Sequence, residues 1–258
     1  MVFQRLQQHG IVINSLKCKF GQSKVKFLGH LINADGTIPL PDKVDAIKNY
    51  TRQSTIKELR RYLGILNFYR RFIPKAAEMQ APLNEFLKGN AKGKQPVQWT
   101  KETLNAFEMC KECIANAAML AHPKNDAHLA IISDASDTTV GAALQQQNNG
   151  AWEPLAFFSK KLSSAEQKYG AYDRELLAIY LAIKYFKHMI EARTFTIYTD
   201  HKPIVYAFRQ KSEKCTPRQF RHLDLIGQYS TDIRHISGKD NIVADALSRI
   251  QSIEEPLD

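Results

Sequence analysis

Long apolar runs are missing from this 258-residue sequence. No stretch nears the roughly 20 residues that a helix needs to span a bilayer, so no membrane partner is expected. The first ten residues, Met1 to Gly10, lack the apolar stretch of a signal peptide. Cysteine is scarce, at four residues. With no leader, that scarcity points to reduced thiols in an intracellular setting, cytoplasmic or nuclear, and not to a disulfide scaffold. No internal repeat or low-complexity tract occurs, and Gln145-Gln146-Gln147 is too short to count as one. Acidic charge is in deficit: 26 Asp and Glu face 36 Lys and Arg, a formal net of +10. What is present is globular in character. A hydrophobic fraction of 44% with 10% aromatics excludes a largely disordered chain, and the length suits one large domain or two smaller ones. The basic excess points to a polyanionic partner, nucleic acid first, although charge alone does not separate this from ribosome-like or membrane-surface binding.

The excess sits at one end. Residues 1–100 carry 17 basic and 6 acidic side chains, a net of +11, which leaves 19 and 20, a net of −1, for the rest. In the front part, residues 11–32 read as short strands closed by the turn Asn33-Ala34-Asp35-Gly36, and residues 42–49 as a helix. Thr55-x-x-Glu58 is a capping box that opens a helix over 55–72. Its apolar positions Ile56, Leu59, Leu63 and Leu66 share one face, while Arg60, Arg61, Arg70 and Arg71 interleave with Tyr62, Phe68 and Tyr69. A further helical piece at 75–88 leads into the Gly- and Lys-rich stretch from Lys88 to Lys94, which we take as a linker and domain boundary.

Beyond it the pattern predicts a helix over 101–118 and then strands at 128–134, 140–147 and 152–159, with Asn148-Asn149-Gly150 as a hairpin turn. The capping box Ser163-x-x-Glu166 predicts a long helix to about Glu191. Strands at 194–200 and 231–236, short helices near 203–209 and 216–227, and a last helix over 242–250 complete the order. Three hairpin-linked strands followed by helical crossovers describe a mixed α/β, α+β-type domain with helices packed on one sheet.

Four acids fall where they can converge. Asp134 and Asp200 end two strands, Glu175 lies within the long helix, and Asp245 lies in the final helix, the last two among apolar neighbours. Like-charged carboxylates crowded at a half-buried site are costly unless cations neutralise them. Hard divalent ions such as Mg²⁺ meet that demand through oxygen ligands, and a pair of them suits phosphodiester hydrolysis. Any one such acid, taken singly, is more often a cap or surface residue; the ordered set of four is the specific signal.

The segments Ile132-Ser133-Asp134-Ala135-Ser136, Tyr172-Asp173-Arg174-Glu175-Leu176-Leu177-Ala178, Tyr198-Thr199-Asp200-His201-Lys202-Pro203 and Asn241 to Arg249 closely resemble the ribonuclease H domain of gypsy-type LTR retrotransposon Pol polyproteins. The resemblance covers roughly residues 95–250. It implies a ribonuclease H-like five-stranded mixed sheet over 91–250, with 251–258 as a tail. It also implies two Mg²⁺ ions, with Mn²⁺ as a substitute, held by Asp134, Glu175, Asp200 and Asp245, and cleavage of the RNA strand of RNA–DNA hybrids. His235 precedes Asp245 at a spacing similar to that of a catalytic-loop histidine in related ribonucleases H. It either moves a proton at the leaving group or is a structural histidine. His201 is left to turn chemistry or substrate contact.

The first 90 residues resemble the reverse transcriptase of the same elements, through Lys17-Cys18-Lys19-Phe20, Val25 to His30 and Leu63 to Ile73. The likeness implies a palm end over 1–40, where Phe27, Leu28, Gly29 and His30 belong to the primer grip, and a mostly helical thumb-like segment over 41–90. Arg60, Arg61, Arg70 and Arg71 would then contact phosphates without reading bases. The alternative for that helix is ordinary amphipathic packing, with Tyr62 and Phe68 serving partly as core. Two adjacent aspartates, which the polymerase site of the family carries, occur nowhere in the chain. DNA synthesis by this chain alone is therefore not expected, and Met1 is expected to fall within the palm. Two other readings stand beside the nuclease: an idle nucleic-acid-binding remnant, and a piece of an RNA-directed DNA polymerase that needs an upstream palm or the rest of Pol. Cys110-x-x-Cys113 lacks further ligands at zinc spacing and reads as a pair of helix cysteines.

Overall fold

The computed structural model describes residues 1–89, 91–209 and 215–237. The sequence opens with a short helix, α1 (Val2–Gln8), none of whose residues is buried. Strand structure begins only at Lys24, later than the sequence pattern suggests, because residues 15–17 close a 3-10 turn that Asn14 caps through its side chain. Strands β1 (Lys24–Phe27), β2 (His30–Asn33) and β3 (Thr37–Pro39) form an antiparallel sheet. Phe27 pairs with His30, which leaves Leu28-Gly29 as a two-residue turn with φ of 44° and 78°. Glycine adopts that conformation freely, whereas leucine is strained in it.

Five helices follow: α2 (Pro41–Lys48), α3 (Ile56–Phe68), α4 (Ala76–Met79), α5 (Ala81–Glu85) and α6 (Lys101–Ala115). The capping box at Thr55 forms as its spacing requires, with Glu58 Oε2 accepting from the Thr55 amide and Thr55 Oγ1 accepting from the Glu58 amide. Ile56, Leu59, Tyr62, Leu63 and Leu66 are all buried, as a face repeating every three or four residues should be. Phe68 stays exposed, so of the two aromatics in question only Tyr62 is core. Residues 70–72 tighten into a 3-10 turn. The helical piece at 75–88 is split in two at Gln80, immediately before α5 with its early Pro82.

The second half carries β4 (Leu129–Ala135), β5 (Thr139–Asn148), β6 (Ala151–Lys161), α7 (Ala171–Ile190), β7 (Phe195–Thr199), α8 (Pro217–Gly227) and β8 (Ile233–His235). Their sheet has the order β6-β5-β4-β7-β8, antiparallel among β4, β5 and β6 and parallel from β4 to β7 and β7 to β8. The β5–β6 hairpin turns at Asn149-Gly150, both at positive φ, the conformation a right-twisted hairpin favours. One expectation is corrected. Ser163 and Glu166 do exchange capping hydrogen bonds, but these close only a 3-10 turn at Glu166–Lys168. Tyr169 and Gly170 then run extended, so the long helix starts at Ala171. The expected helix over 242–250 lies outside the described residues.

Two apolar cores sandwich this sheet. One packs Leu129, Ile131, Leu144 and Ile197 against the α7 residues Leu176, Ile179, Ile183 and Phe186. The other gathers α3, α6 and the turn at Phe72 and includes Ala143 and Phe157 from β5 and β6. The front helices thus share a core with the second sheet. Leu59, fully buried in the shared core, should lose about 2–5 kcal/mol of stability on substitution by alanine. Gly64, in the middle of α3 with open space where a Cβ would stand, should gain about 0.5–1 kcal/mol as Gly64→Ala. Urea unfolding of the two variants reads both effects.

Candidate active site

The carboxylates are brought together by strand register and helix packing. Ser133 of β4 is the parallel partner of Thr199 of β7. The next residue along each strand is an aspartate, so Asp134 and Asp200 stand side by side. Parallel pairing requires a crossover between the two strands, and α7 lies in that crossover, its apolar face in the core beneath the sheet. Glu175 sits early in α7, and its carboxylate completes the cluster. Oxygens of Asp134, Glu175 and Asp200 all lie within 4.8 Å of one another.

Asp134 and Asp200 are exposed, whereas Glu175 is only 6% exposed. Its Oε2 is buried and has no hydrogen-bond partner. Burial pushes the Glu175 carboxyl up to about 8, and the charges of Asp200 and Asp134 add to the effect; the Ala135 backbone and Arg174 oppose it. Arg174 is committed elsewhere, donating to the Tyr169 carbonyl at 2.6 Å and to Asp137 at 2.5 Å. An unpartnered, buried carboxylate oxygen facing two further carboxylates is a donor set for a hard cation. No other group of three or more such ligands occurs among the described residues.

A frame around Glu175 escaped the sequence reading. Asp173, two residues earlier, accepts from Arg218 at 2.7 Å and Gln219 at 2.6 Å of α8. The Arg218 guanidinium also stacks 3.8 Å from the Tyr169 ring centre. These contacts pin the first turn of α7. The only sequence signal for them is the acid–base alternation in Asp173-Arg174-Glu175, which does not name a partner.

Asp245 lies outside the described residues. His235 ends β8 as the partner of Thr199, one strand over from Asp200, and its side chain is exposed. His201 turns the chain after Asp200, its amide donating to Thr199 Oγ1 at 3.1 Å, while its Nδ1 is buried without a partner. Of the front-end candidates, Phe27 and Leu28 are 58% and 72% exposed at the hairpin tip. Gly29 fits tightly: its carbonyl accepts from the Tyr69 hydroxyl at 3.0 Å, and a Cβ would come within 3.1 Å of the Phe68 ring. His30 stacks on both Phe68 and Phe72, and burial, with Arg71 nearby, lowers its pKa. Arg71 lies over the Phe72 ring, Arg70 donates to the Ser159 carbonyl, and Arg60 donates to the Ala91 carbonyl at 2.7 Å, while Arg61 is exposed. Hairpin 27–30 and turn 70–72 therefore form one surface, with Arg60 and Arg61 further back on α3. Cys110 is buried, its thiol pushed up to about 12 by that burial, and Cys113 packs against Met79; both serve the shared core.

The chain resembles known proteins in both sequence and fold. Residues 99–197 match the family model described as an RNase H-like domain found in reverse transcriptase. The Tf2-3 and Tf2-4 transposon polyproteins of Schizosaccharomyces pombe are each 34% identical over 99% of this chain. The chain spans about a fifth of their length (19%). A foamy viral protease-reverse transcriptase in complex with dsDNA shares the fold at 23% identity and a TM-score of 0.72, over 92% of this chain and 49% of that one. The same viral protein in complex with an RNA/DNA hybrid gives 22% identity and a TM-score of 0.73, over 100% and 34% of the two chains.

The raised Glu175 carboxyl has a signed consequence for the metal-free protein. A carboxyl titrating near 4.5 in the unfolded chain and about 8 in the fold favours folding while protonated. That contribution is complete below pH 4.5 and fades by roughly 1.4 kcal/mol per pH unit up to about 8. Without divalent ions, Glu175→Gln should melt above wild type at pH 8–9 and level with it near pH 4.5. Thermal unfolding in EDTA across that range checks the crossover.

Proposed function

The chain belongs to the retrotransposon Pol polyproteins as a fragment carrying their ribonuclease H-like domain, and from that premise we propose that it hydrolyses the RNA strand of RNA–DNA hybrids with divalent metal help. The observation that carries the reading is the convergence of Asp134, Glu175 and Asp200 within 4.8 Å, with one Glu175 oxygen buried and unpartnered. These three residues would hold Mg²⁺, with Asp245 as the fourth ligand of the set. Bound metal there supplies an activated water and charge stabilisation at the leaving oxygen. Carboxylate oxygens are the ligands a hard cation takes, and the sheet and the braced first turn of α7 orient them. His235, one strand from Asp200, is the candidate to hold or move a proton at the leaving group.

The front part supplies grip. Residues 1–40 correspond in this reading to a palm end and 41–90 to a thumb-like segment. Phe27 to His30 with Arg70 and Arg71 form one face toward the duplex, and Arg60 and Arg61 extend the basic surface. A net of +11 in the first 100 residues suits phosphate contacts that position without reading sequence. The viral neighbour seen with an RNA/DNA hybrid supports the substrate class. DNA synthesis is not proposed, because the sequence holds no adjacent aspartate pair.

The test is cleavage of a labelled hybrid by this chain in Mg²⁺, beside Asp134→Asn and an EDTA control. Wild type should cut only the RNA strand, and Asp134→Asn should lose roughly 10³-fold or more in rate, several kcal/mol of transition-state stabilisation. Tight hybrid binding without any cutting by wild type would sink the nuclease reading and leave a binding remnant.

A further inference from the structure

A cleft of about 170 Å³ opens beside Asp134, between the front segment and the sheet. Its sheet side is laid out by register. Asp134 of β4, Gly141 of β5 and Ser159 of β6 are successive partners in one row. Two strand spacings, roughly 9–10 Å, therefore separate Asp134 from Ser159. Between them Gly141 presents no side chain, so the floor of the cleft is bare there and open to close approach.

The far wall comes from the front segment and is tied to the end of that row. Ser159 Oγ accepts from the Ala77 amide at 2.9 Å, and its carbonyl accepts from Arg70. Two residues before Ala77 stands Lys75, exposed and lining the cleft with Glu78. Lys75 has a left-handed backbone, φ 51° and ψ 23°, which an L-residue adopts at a cost that clusters at functional positions. Among the described residues it joins no salt bridge. Lys160 and Lys161 at the neighbouring end of β6 are by contrast paired with Glu166 and Glu85.

We propose that Lys75 holds a backbone phosphate of the strand being cut, next to the phosphate placed at the carboxylates. This rests on the nuclease reading for the identity of the strand, and it makes the front segment part of the cutting site itself. The strained turn aims a free cation across a bare glycine floor, and the Ser159 tether fixes the distance from that turn to Asp134. Lys75 then contacts the substrate, acts on its binding and leaves the chemistry alone.

Glycine is at ease in the Lys75 conformation, so Lys75→Gly removes the charge without endangering the fold. Lys75→Gln and Lys75→Gly should each weaken hybrid binding about five- to tenfold near 0.1 M salt, and should lower the slope of log K against log salt by about 0.9. Measured in Ca²⁺ to hold cutting back, binding reads the grip independently of turnover. In Mg²⁺ the same variants should raise KM with kcat kept, and Lys75→Arg should restore both binding and KM. Melting temperatures should be unchanged for Lys75→Gln and unchanged or higher for Lys75→Gly. Binding or salt slope equal to wild type in both charge-free variants would overturn the proposal, as would a binding loss that Lys75→Arg fails to restore. If wild type binds hybrid but does not cut, the nuclease reading fails while the salt slope still decides the role of Lys75.

Discussion

Three carboxyl groups within 4.8 Å of one another repel when charged, and one of them is buried with an oxygen that has no hydrogen-bond partner. The rest of the domain has to hold that arrangement against its own electrostatics. The restraint comes from α7. Leu176, Ile179, Ile183 and Phe186 lock the helix into the core beneath β4 and β7. Each fully buried side chain of that size contributes roughly 1.5–3 kcal/mol, so together they outweigh the penalty on a single glutamate. Asp173, braced by Arg218 and Gln219, fixes the turn that precedes Glu175. The result is preorganisation. The three carboxyl groups are already gathered by the fold, within 4.8 Å of one another.

The opposite face of the sheet carries a different burden. Ala143 and Phe157 enter the core built by α3, α6 and the turn at Phe72, while Arg70 and Ala77 bond to Ser159. The basic front end therefore does not trail behind the acidic domain on a free linker. It is mortared to β5 and β6, beside the row that contains Asp134. Two non-glycine positions with strained backbone, Leu28 and Lys75, lie on this front segment, one at the tip of the first hairpin and one in the wall of the cleft. Of the cations behind the net of +11 in the first 100 residues, the fold ties Arg70 to the Ser159 carbonyl and sets Lys75 in the wall of the cleft beside Asp134.

Local structure was legible wherever the determining interaction lies within a few residues. The Thr55–Glu58 box, the apolar face from Ile56 to Leu66 and the Asn149-Gly150 turn each form as their spacing requires. The box at Ser163 shows the limit of that logic. Its hydrogen bonds form, yet the chain runs extended at Tyr169 and Gly170 before α7 begins, and a capping signal carries no information about how far the turn it starts will propagate.

The sequence by itself determined the order of strands and helices from Lys24 to His235, the placement of two aspartates at strand ends and the division of charge between front and back, because periodicity, capping and composition are properties of neighbouring residues. Only the tertiary structure decided that Ser133 pairs with Thr199, that Glu175 is buried while Asp134 and Asp200 stay exposed, and that Lys75 and Gly141 face one cleft. Those facts depend on strand register and on which face a helix buries. A shift of one residue in register would turn each side chain to the other face of the sheet, and nothing within a single strand records which partner it will meet.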